Sequence, residues 1–428
     1  MYCSGGKRLV RDLTNDRLRK DQDTRVMNWE MMVSGRQPEG TQIGCGAGWL
    51  SRLAVLSCVG SLAVAHLFAA PAPDDPSNGK AFSYVNDKMV EGPWSVHLVK
   101  LDRASTEYEL HTTLGNGQVT GMTTLTEQVK ALPAELGRPI AAVNGDFYFT
   151  SPRVYNGDPQ GIQILHGELV SAPTEHACFW IDAAGRPRTE IVKSLFHVIW
   201  PDGNTQPVGL NEKRADDAAV LYTPRMGPST GTPSGGREII LEAEDKDSWL
   251  PLRVGAKVRA RVKEVREAGD TALQPRLMVF SLGPKLLGDI PTVAPGDVVQ
   301  ISTATLPDMA GCRTAIGGGP RLVVDGKPVE GWSSPNVRHP RTALGWNDNH
   351  IYLMLVDGRQ PGLSVGMGYQ EMANYFIKRG CTHAMNLDGG GSASMWVLGQ
   401  TVSSPSEGQE RPVANGLVIV KKSKKETP

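Results

Sequence analysis

The stretch Ala384-Met385-Asn386-Leu387-Asp388-Gly389-Gly390-Gly391-Ser392-Ala393-Ser394-Met395-Trp396 constrains this chain more than any other. An apolar run ends in an Asn and an Asp, breaks into three glycines, then restarts as a hydroxyl-rich apolar strand. Glycine loses the most backbone freedom on folding, so three in a row between structured stretches are costly. The usual return is backbone that approaches a ligand closely, or φ > 0 where side chains would clash. A carboxylate at the mouth of such a turn, followed by free N–H groups and two hydroxyls, suits an anion-handling active site. A tight hairpin whose Asp caps the turn would use the same residues. From this segment alone both readings stand.

Four further blocks accompany it in order. Ala141-Ala142-Val143-Asn144-Gly145-Asp146-Phe147-Tyr148 comes first, then Gly317-Gly318-Gly319-Pro320-Arg321-Leu322-Val323-Val324-Asp325-Gly326 and Pro340-Arg341-Thr342-Ala343-Leu344-Gly345. Val356-Asp357-Gly358-Arg359 runs through a helix containing Glu371, Met372 and Ala373 into the Asn386–Ser392 segment, and Glu410-Arg411-Pro412-Val413 closes the set. Together the five blocks, spanning roughly residues 140–420, resemble the phosphodiester glycosidase family. The resemblance implies a hydrolase that cleaves the bond from a sugar anomeric carbon to a phosphodiester oxygen, releasing a free sugar and a phosphomonoester. Asp146 stands where the family usually has glycine, which either adds a carboxylate or narrows the pocket.

Charge and composition narrow the partners. Lys plus Arg and Asp plus Glu both total 45 in 428 residues, so no net field draws the chain to nucleic acid or acidic membranes. Aromatics at 6% argue against a stacking platform for single strands. The expected partner is a sugar-phosphate diester or glycan, with membrane contact only through an uncleaved N-terminal anchor. From Leu53 to Ala70 the chain has no charged residue apart from His66, with Arg52 before it and Pro71, Pro73, Asp74 and Asp75 after it. Basic flank, apolar core and small residues near Ala70 read as a secretory signal, and the run reaches the lower limit of a membrane span, about 18 residues. The expectation is a secreted, periplasmic or envelope protein.

The organisation expected is an N-terminal extension over 1–70, a Pro/Asn/Asp-rich linker over 71–92, a catalytic domain over 93–420 with a β-rich insertion near 201–307, and a basic tail over 421–428. Within the insertion, Pro224–Gly236 reads as a mobile flap or connector. Short helices are expected from Thr123 to Leu132 and around Tyr369, Met372, Ala373, Phe376 and Ile377, ending at Gly380. A strand–helix–strand unit from Ile351 to Leu387 would put Asp357 and Asp388 at the carboxyl ends of two strands, where α/β sites form. The fold class expected is therefore α+β or mixed α/β: a mixed sheet with helices packed on it and a β-rich insertion. Cys178, Cys312 and Cys381 show no zinc spacing. Cys312 and Cys381, each just upstream of a glycine-rich block, read either as a disulfide or as buried thiols.

The candidate catalytic residues are Asp388 and Asp357, since two carboxylates in one pocket can divide acid and base roles. Arg341, and more weakly Arg411, are candidate phosphate ligands because a planar guanidinium binds phosphate oxygens bidentately. Asn144 and Asp146, before three aromatics, suit sugar hydroxyls. Asn386, Gly389, Gly390 and Ser392 complete the expected substrate site. Glu371 reads as solvated, and His97, His111, His166, His176 and His339 as structural, with His339 beside Arg341 within reach of the pocket. No metal and no cofactor is expected. A metal-dependent phosphodiesterase and a non-catalytic envelope glycan-binding module compete with the glycosidase reading; neither GGGP nor DGGGS is followed by the Lys-Ser/Thr of a phosphate loop.

Overall fold

The computed structural model describes residues 80–150, 155–244 and 249–423. The apolar run Leu53–Ala70, read as a secretory signal, and Cys3, Cys45 and Cys58 lie outside them.

The strands around the site are apolar on both faces, and the fold follows from that. In Arg341–Trp346 every residue is buried, and in His350–Val356 all but the first are. Such strands need cover on two sides. One face of their sheet, through Leu344, Leu353, Leu355 and Met385, packs on a second sheet through Ile140, Val143, Met395, Leu417 and Ile419. The other face, through Ala343, Met354 and Ala384, takes the helix Tyr369–Lys378 through Met372, Ala373 and Phe376. The outer face of the second sheet receives the helix Leu125–Lys130, whose Leu125 and Val129 meet Ala142, Trp396 and Val418. Thr124 and Glu127 form a capping box that starts this helix.

The first of these sheets has seven strands, in the order Phe82–Met89, Trp94–Asp102, His350–Val356, Arg341–Trp346, His383–Asn386, Arg321–Val324 and Lys327–Pro328. The second has five: Gln400–Thr401, Met395–Val397, Arg138–Asn144, Asn415–Lys421 and Tyr108–Leu114. An eight-stranded sheet formed between Lys193 and Leu306 shares its core with another five-stranded sheet built around Thr314–Gly317.

The expected α+β class is thereby corrected. The protein is mostly β, at 43% strand and 9% helix with two α-helices among the described residues. Sheet packs on sheet where helices on a mixed sheet were expected. Among the described residues, strand pairing is antiparallel apart from Gly209–Leu210 with Ala219–Tyr222. Continuous apolar strands look the same whether a helix or a second sheet covers them, which is why the pattern misled.

Two local expectations also change, and an open one closes. The second half of the linker is the strand Phe82–Met89, paired along its whole length with Trp94–Asp102. The Pro224–Gly236 segment is pinned, with the Thr230 and Thr232 hydroxyls donating to the buried Glu238 at 2.9 and 2.6 Å and Ser229 bonded to Asp270. Cys178, Cys312 and Cys381 are free and buried, so Cys312 and Cys381 form no disulfide.

Candidate active site

The strands His350–Val356 and His383–Asn386 both pair antiparallel with Arg341–Trp346, which lies between them. They therefore run parallel to one another and deliver Asp357 and Asp388 to the same end of the sheet. Arg341, at the start of the intervening strand, pairs with Val356 and so sits at that end too. Three sequence-separated blocks meet there.

Asp388 is fastened from two sides. Its N–H donates to Gly145 O at 2.9 Å, and its carbonyl accepts from Asn144 Nδ2 at 2.8 Å. The preceding Leu387 N–H donates to Thr342 O at 2.8 Å. Asn144, fully buried, also accepts from Thr342 Oγ1 (2.6 Å) and from the Ser394 N–H (3.1 Å). Its acceptor oxygen is thus committed to holding the loop, so the expected contact with sugar hydroxyls gives way to a positioning role. Asn386 is equally buried, and its amide donates to Gly319 O at 2.8 Å.

The three glycines serve three arginines. A Cβ at Gly389 would lie 2.7 Å from Pro340 O and 3.5 Å from Arg341 Cδ, and one at Gly390 would lie 3.2 Å from Arg359 Nη2. At Gly391 it would collide with the Arg411 guanidinium and with Glu407. Gly390 also has φ +61°, which side-chain-bearing residues disfavour. The N–H groups of Gly389 and Gly390 donate to Asp388 Oδ1 and Pro340 O, each at 2.8 Å. Both N–H groups are thus already engaged within the protein, while the absence of side chains lets the Arg359 and Arg411 guanidiniums close on Gly390 and Gly391.

The guanidiniums differ in their surroundings. Arg341 is 8% exposed, lies over the Tyr369 ring at 4.3 Å, and donates to Tyr369 Oη, Val337 O and Met367 O at 3.2, 3.2 and 3.4 Å. Five N–H donors less three leaves two, one on each terminal nitrogen. Arg411 forms an ion pair with Glu407 and reaches Ser392 Oγ at 3.5 Å. Tyr148 Oη stands 3.4 Å from the same hydroxyl.

Burial raises the Asp388 carboxyl to about 6, against the Ser392 hydroxyl, the Gly389 N–H and the charges of Arg411 and Arg341, which pull it down. Asp146 is raised to about 7, chiefly by burial, although Gly161 and Phe147 donate backbone N–H groups to it at 2.7 and 2.8 Å. The Asp388 charge adds to that rise. Gly161 and Gly317 form its cradle, since a Cβ at Gly317 would collide with Asp146 Oδ2. Burial and the charges of Arg341 and Arg359 push His339 down to about 4, so it is neutral near pH 7.

Asp357 faces elsewhere. Its Oδ2 lies 2.9 Å from His97 Nε2, its Oδ1 accepts the Ser404 N–H at 2.8 Å, and Tyr84 Oη lies 2.8 Å from His97 Nδ1. Both carboxyl oxygens are engaged in holding the turn that leads to Arg359.

Residues 229–420 match the family described as phosphodiester glycosidase. The resemblance read from the five blocks is to this family. The matched range holds Arg341, Asp357, Asn386, Asp388, Gly389, Gly390, Ser392 and Arg411, whereas Asn144 and Asp146 precede it. Among curated relatives, a prophage-derived protein, YomE, of Bacillus subtilis (strain 168) is 38% identical over 114 residues, 26% of this chain and 18% of that one. N-acetylglucosamine-1-phosphodiester alpha-N-acetylglucosaminidase of Bos taurus is 38% identical over 73 residues, 17% of this chain and 14% of that one. The matched segment is thus less than a fifth of the length of either relative. A hypothetical protein from Synechocystis shares the fold, with a TM-score of 0.61 at 19% identity over 79% of this chain and 61% of that one.

Within this phosphodiester-glycosidase-like frame, several residues at the site were not singled out from sequence. Arg359 follows Asp357-Gly358 in its block and Tyr369 opens the apolar face of its helix, and local spacing alone does not reveal the contacts of either. His97 lies some 260 positions from Asp357, and only the sheet register brings them together. Glu371 caps its helix through the Gly368 N–H at 2.9 Å and pairs with Arg338, consistent with a residue outside the site.

Proposed function

We propose that this protein hydrolyses a sugar-1-phosphodiester at the sugar C1–O bond, releasing free sugar and a phosphomonoester. The observation that carries the reading is the loop Asp388–Ser392, where a carboxyl raised to about 6 feels the charges of Arg341 and Arg411 and Arg359 lies against Gly390. With Arg411 paired to Glu407 and Asp146 raised to about 7, Arg341 and Arg359 still outnumber the Asp388 carboxylate, which suits a substrate that is itself anionic. A phosphate leaving group is weakly basic, so it needs little general-acid help, and charge stabilisation matters more. Asp388 would activate water or attack C1, and it is largely ionised at neutral pH as either role requires. Arg341 would hold the phosphate with its two unspent N–H groups over the Tyr369 ring. Asp357 would act through the turn it fastens, as a positioning residue, and Asp146 would tune Asp388 from the cradle beneath it. Tyr148 and Ser392 line the sugar side.

Hydrolysis in ¹⁸O-water tests this directly. The expected result is label on the anomeric hydroxyl of the released sugar, because water oxygen ends on carbon when C1–O breaks. Label in the phosphate would instead mean attack at phosphorus, as in a phosphodiesterase. No product from any sugar-phosphate diester would leave a binding module.

A further inference from the structure

We infer that Arg359 is a catalytic residue of this site: beside Arg341, it takes up the negative charge that the departing phosphate gains as the sugar C1–O bond breaks. This rests on the phosphodiester hydrolysis proposed above.

The geometry begins with the glycine loop. The Arg359 guanidinium lies against Gly390, with Nη2 and Nη1 at 3.2 and 3.5 Å from where a Cβ would be. Arg341 lies against the adjacent Gly389. His339 stands between the two arginines, its Nδ1 3.3 Å from Arg359 Nη2. Because His339 is held neutral by burial and by both arginines, it accepts from Arg359 without adding charge. Among the described residues neither Arg341 nor Arg359 forms an ion pair with a carboxylate, whereas Arg411 has Glu407. Two like charges kept together, with no salt bridge to a carboxylate and the one negative charge of Asp388 acting on Arg341, mark a place for a further anion.

Arg359 is also built into place. Its backbone takes φ 59°, an unusual conformation for a residue with a long side chain. The turn around it is held by the Ser404 N–H on Asp357 Oδ1 (2.8 Å), Gln360 Nε2 on Ser404 O (2.8 Å) and Ser404 Oγ on Gln360 Oε1 (2.7 Å). Asp357 therefore reaches the site through Arg359, although its own oxygens do not.

The charge balance shows why two arginines are needed. Before reaction, an ionised Asp388 and a monoanionic diester face Arg341 and Arg359, and the charges cancel. Water oxygen then forms a bond to C1, and the C1–O bond to phosphate breaks with its electron pair staying on the phosphate. One proton of the water remains on the sugar hydroxyl and the other passes to Asp388. The phosphate is now a dianion and Asp388 is neutral, so the charges cancel again, but the negative charge has moved onto the phosphate. An arginine aimed there stabilises the transition state more than the ground state, and only such an interaction accelerates the chemistry. Arg341 alone would leave the dianion one charge short.

The test compares wild type with Arg359→Ala and Arg359→Lys, with circular dichroism as the fold control. With a sugar-1-phosphodiester, Arg359→Ala should lower kcat by at least ~10²-fold, the scale of losing one preorganised donor, while KM changes little. Calorimetry at pH 8 supplies a readout independent of turnover. Phenyl phosphate, a dianion, should bind at least about tenfold more weakly to Arg359→Ala, as expected for one lost charge-assisted contact. Dimethyl phosphate, a monoanion, should lose much less, and Arg359→Lys should recover part of the dianion affinity. Equal weakening of both probes, or unchanged kcat in an active enzyme, would overturn the role of Arg359 and leave the hydrolysis standing. A wild type that neither binds phenyl phosphate nor hydrolyses any diester would overturn both.

Discussion

Asn144 donates its side-chain amide to the backbone carbonyl of Asp388 at 2.8 Å. The same side chain accepts from Thr342 and Ser394, so one buried amide joins the ends of three strands around the proposed catalytic loop. Asn144→Ala would leave buried donors unpaired, at about 1–3 kcal/mol for such a loss. The expected outcome is a lower melting temperature with a fall in kcat larger than the change in KM, measured by calorimetry and steady-state kinetics. A variant as active and as stable as wild type would remove Asn144 from this role.

Asp388→Asn should lower kcat by at least ~10²-fold, the scale of losing an acid–base group, with the fold intact. Because burial raises the Asp388 carboxyl to about 6 and the reaction needs its ionised form, kcat should rise with pH through that value in wild type. A pH profile on an activated sugar-phosphate diester checks both. Normal turnover in the variant would reduce Asp388 to a turn cap.

Asp146 gives a stability signature of definite sign. Its carboxyl is raised from 3.8 to about 7 in the folded protein, in a setting shared with Asp388, Asp158 and Cys178. Between those values the folded state holds a proton that the unfolded chain releases, so stability falls as pH rises from about 4 to about 7. Asp146→Asn should flatten that slope in urea titrations taken across the range. An unchanged slope would mean the carboxyl is ionised in its cradle.

Gly391→Ala forces a methyl group into the Arg411 guanidinium and Glu407. Activity should drop in the single variant. Combining it with Arg411→Ala should give a loss smaller than the sum of the two, since contacting residues commonly couple by about 0.5–3 kcal/mol. Strict additivity in a double-mutant cycle would show that the glycine and the arginine do not meet.

Export is the expectation carried by Leu53–Ala70, and protein sequencing decides it. Material recovered from a secreting host should begin near Ala70 or be membrane-bound through that run. Intact cytoplasmic protein starting at Met1 would exclude it.

How far the sequence could be read depended on the range of the interactions. The helices Leu125–Lys130 and Tyr369–Lys378 were legible because local periodicity and end signals fix them. The placing of Asp357 and Asp388 at one sheet end was legible too, because each follows an apolar strand; that Arg341 joins them follows only from the register of the strand between. The sheet-on-sheet packing was not, since a doubly buried strand does not reveal what covers it. Nor was the use of the glycines: three in a row announce close approach, but which groups approach depends on Arg359 and Arg411, in other blocks. Asp357 was misread for the same reason, as its partner His97 is placed only by register.

Because Leu387 bonds to Thr342 in the seven-stranded sheet and Asp388 to Gly145 at the end of a strand of the five-stranded sheet, the loop straddles the seam of the sandwich. The loop thus behaves as a strain gauge laid across a joint. Sliding of one sheet over the other by even part of a residue would pull the carboxyl away from its arginines while leaving each sheet's own ladder intact. On warming, turnover should therefore fail at a lower temperature than the far-ultraviolet strand signal, and substitutions that loosen the Leu344–Val143–Met385 interior should widen that gap without touching the site.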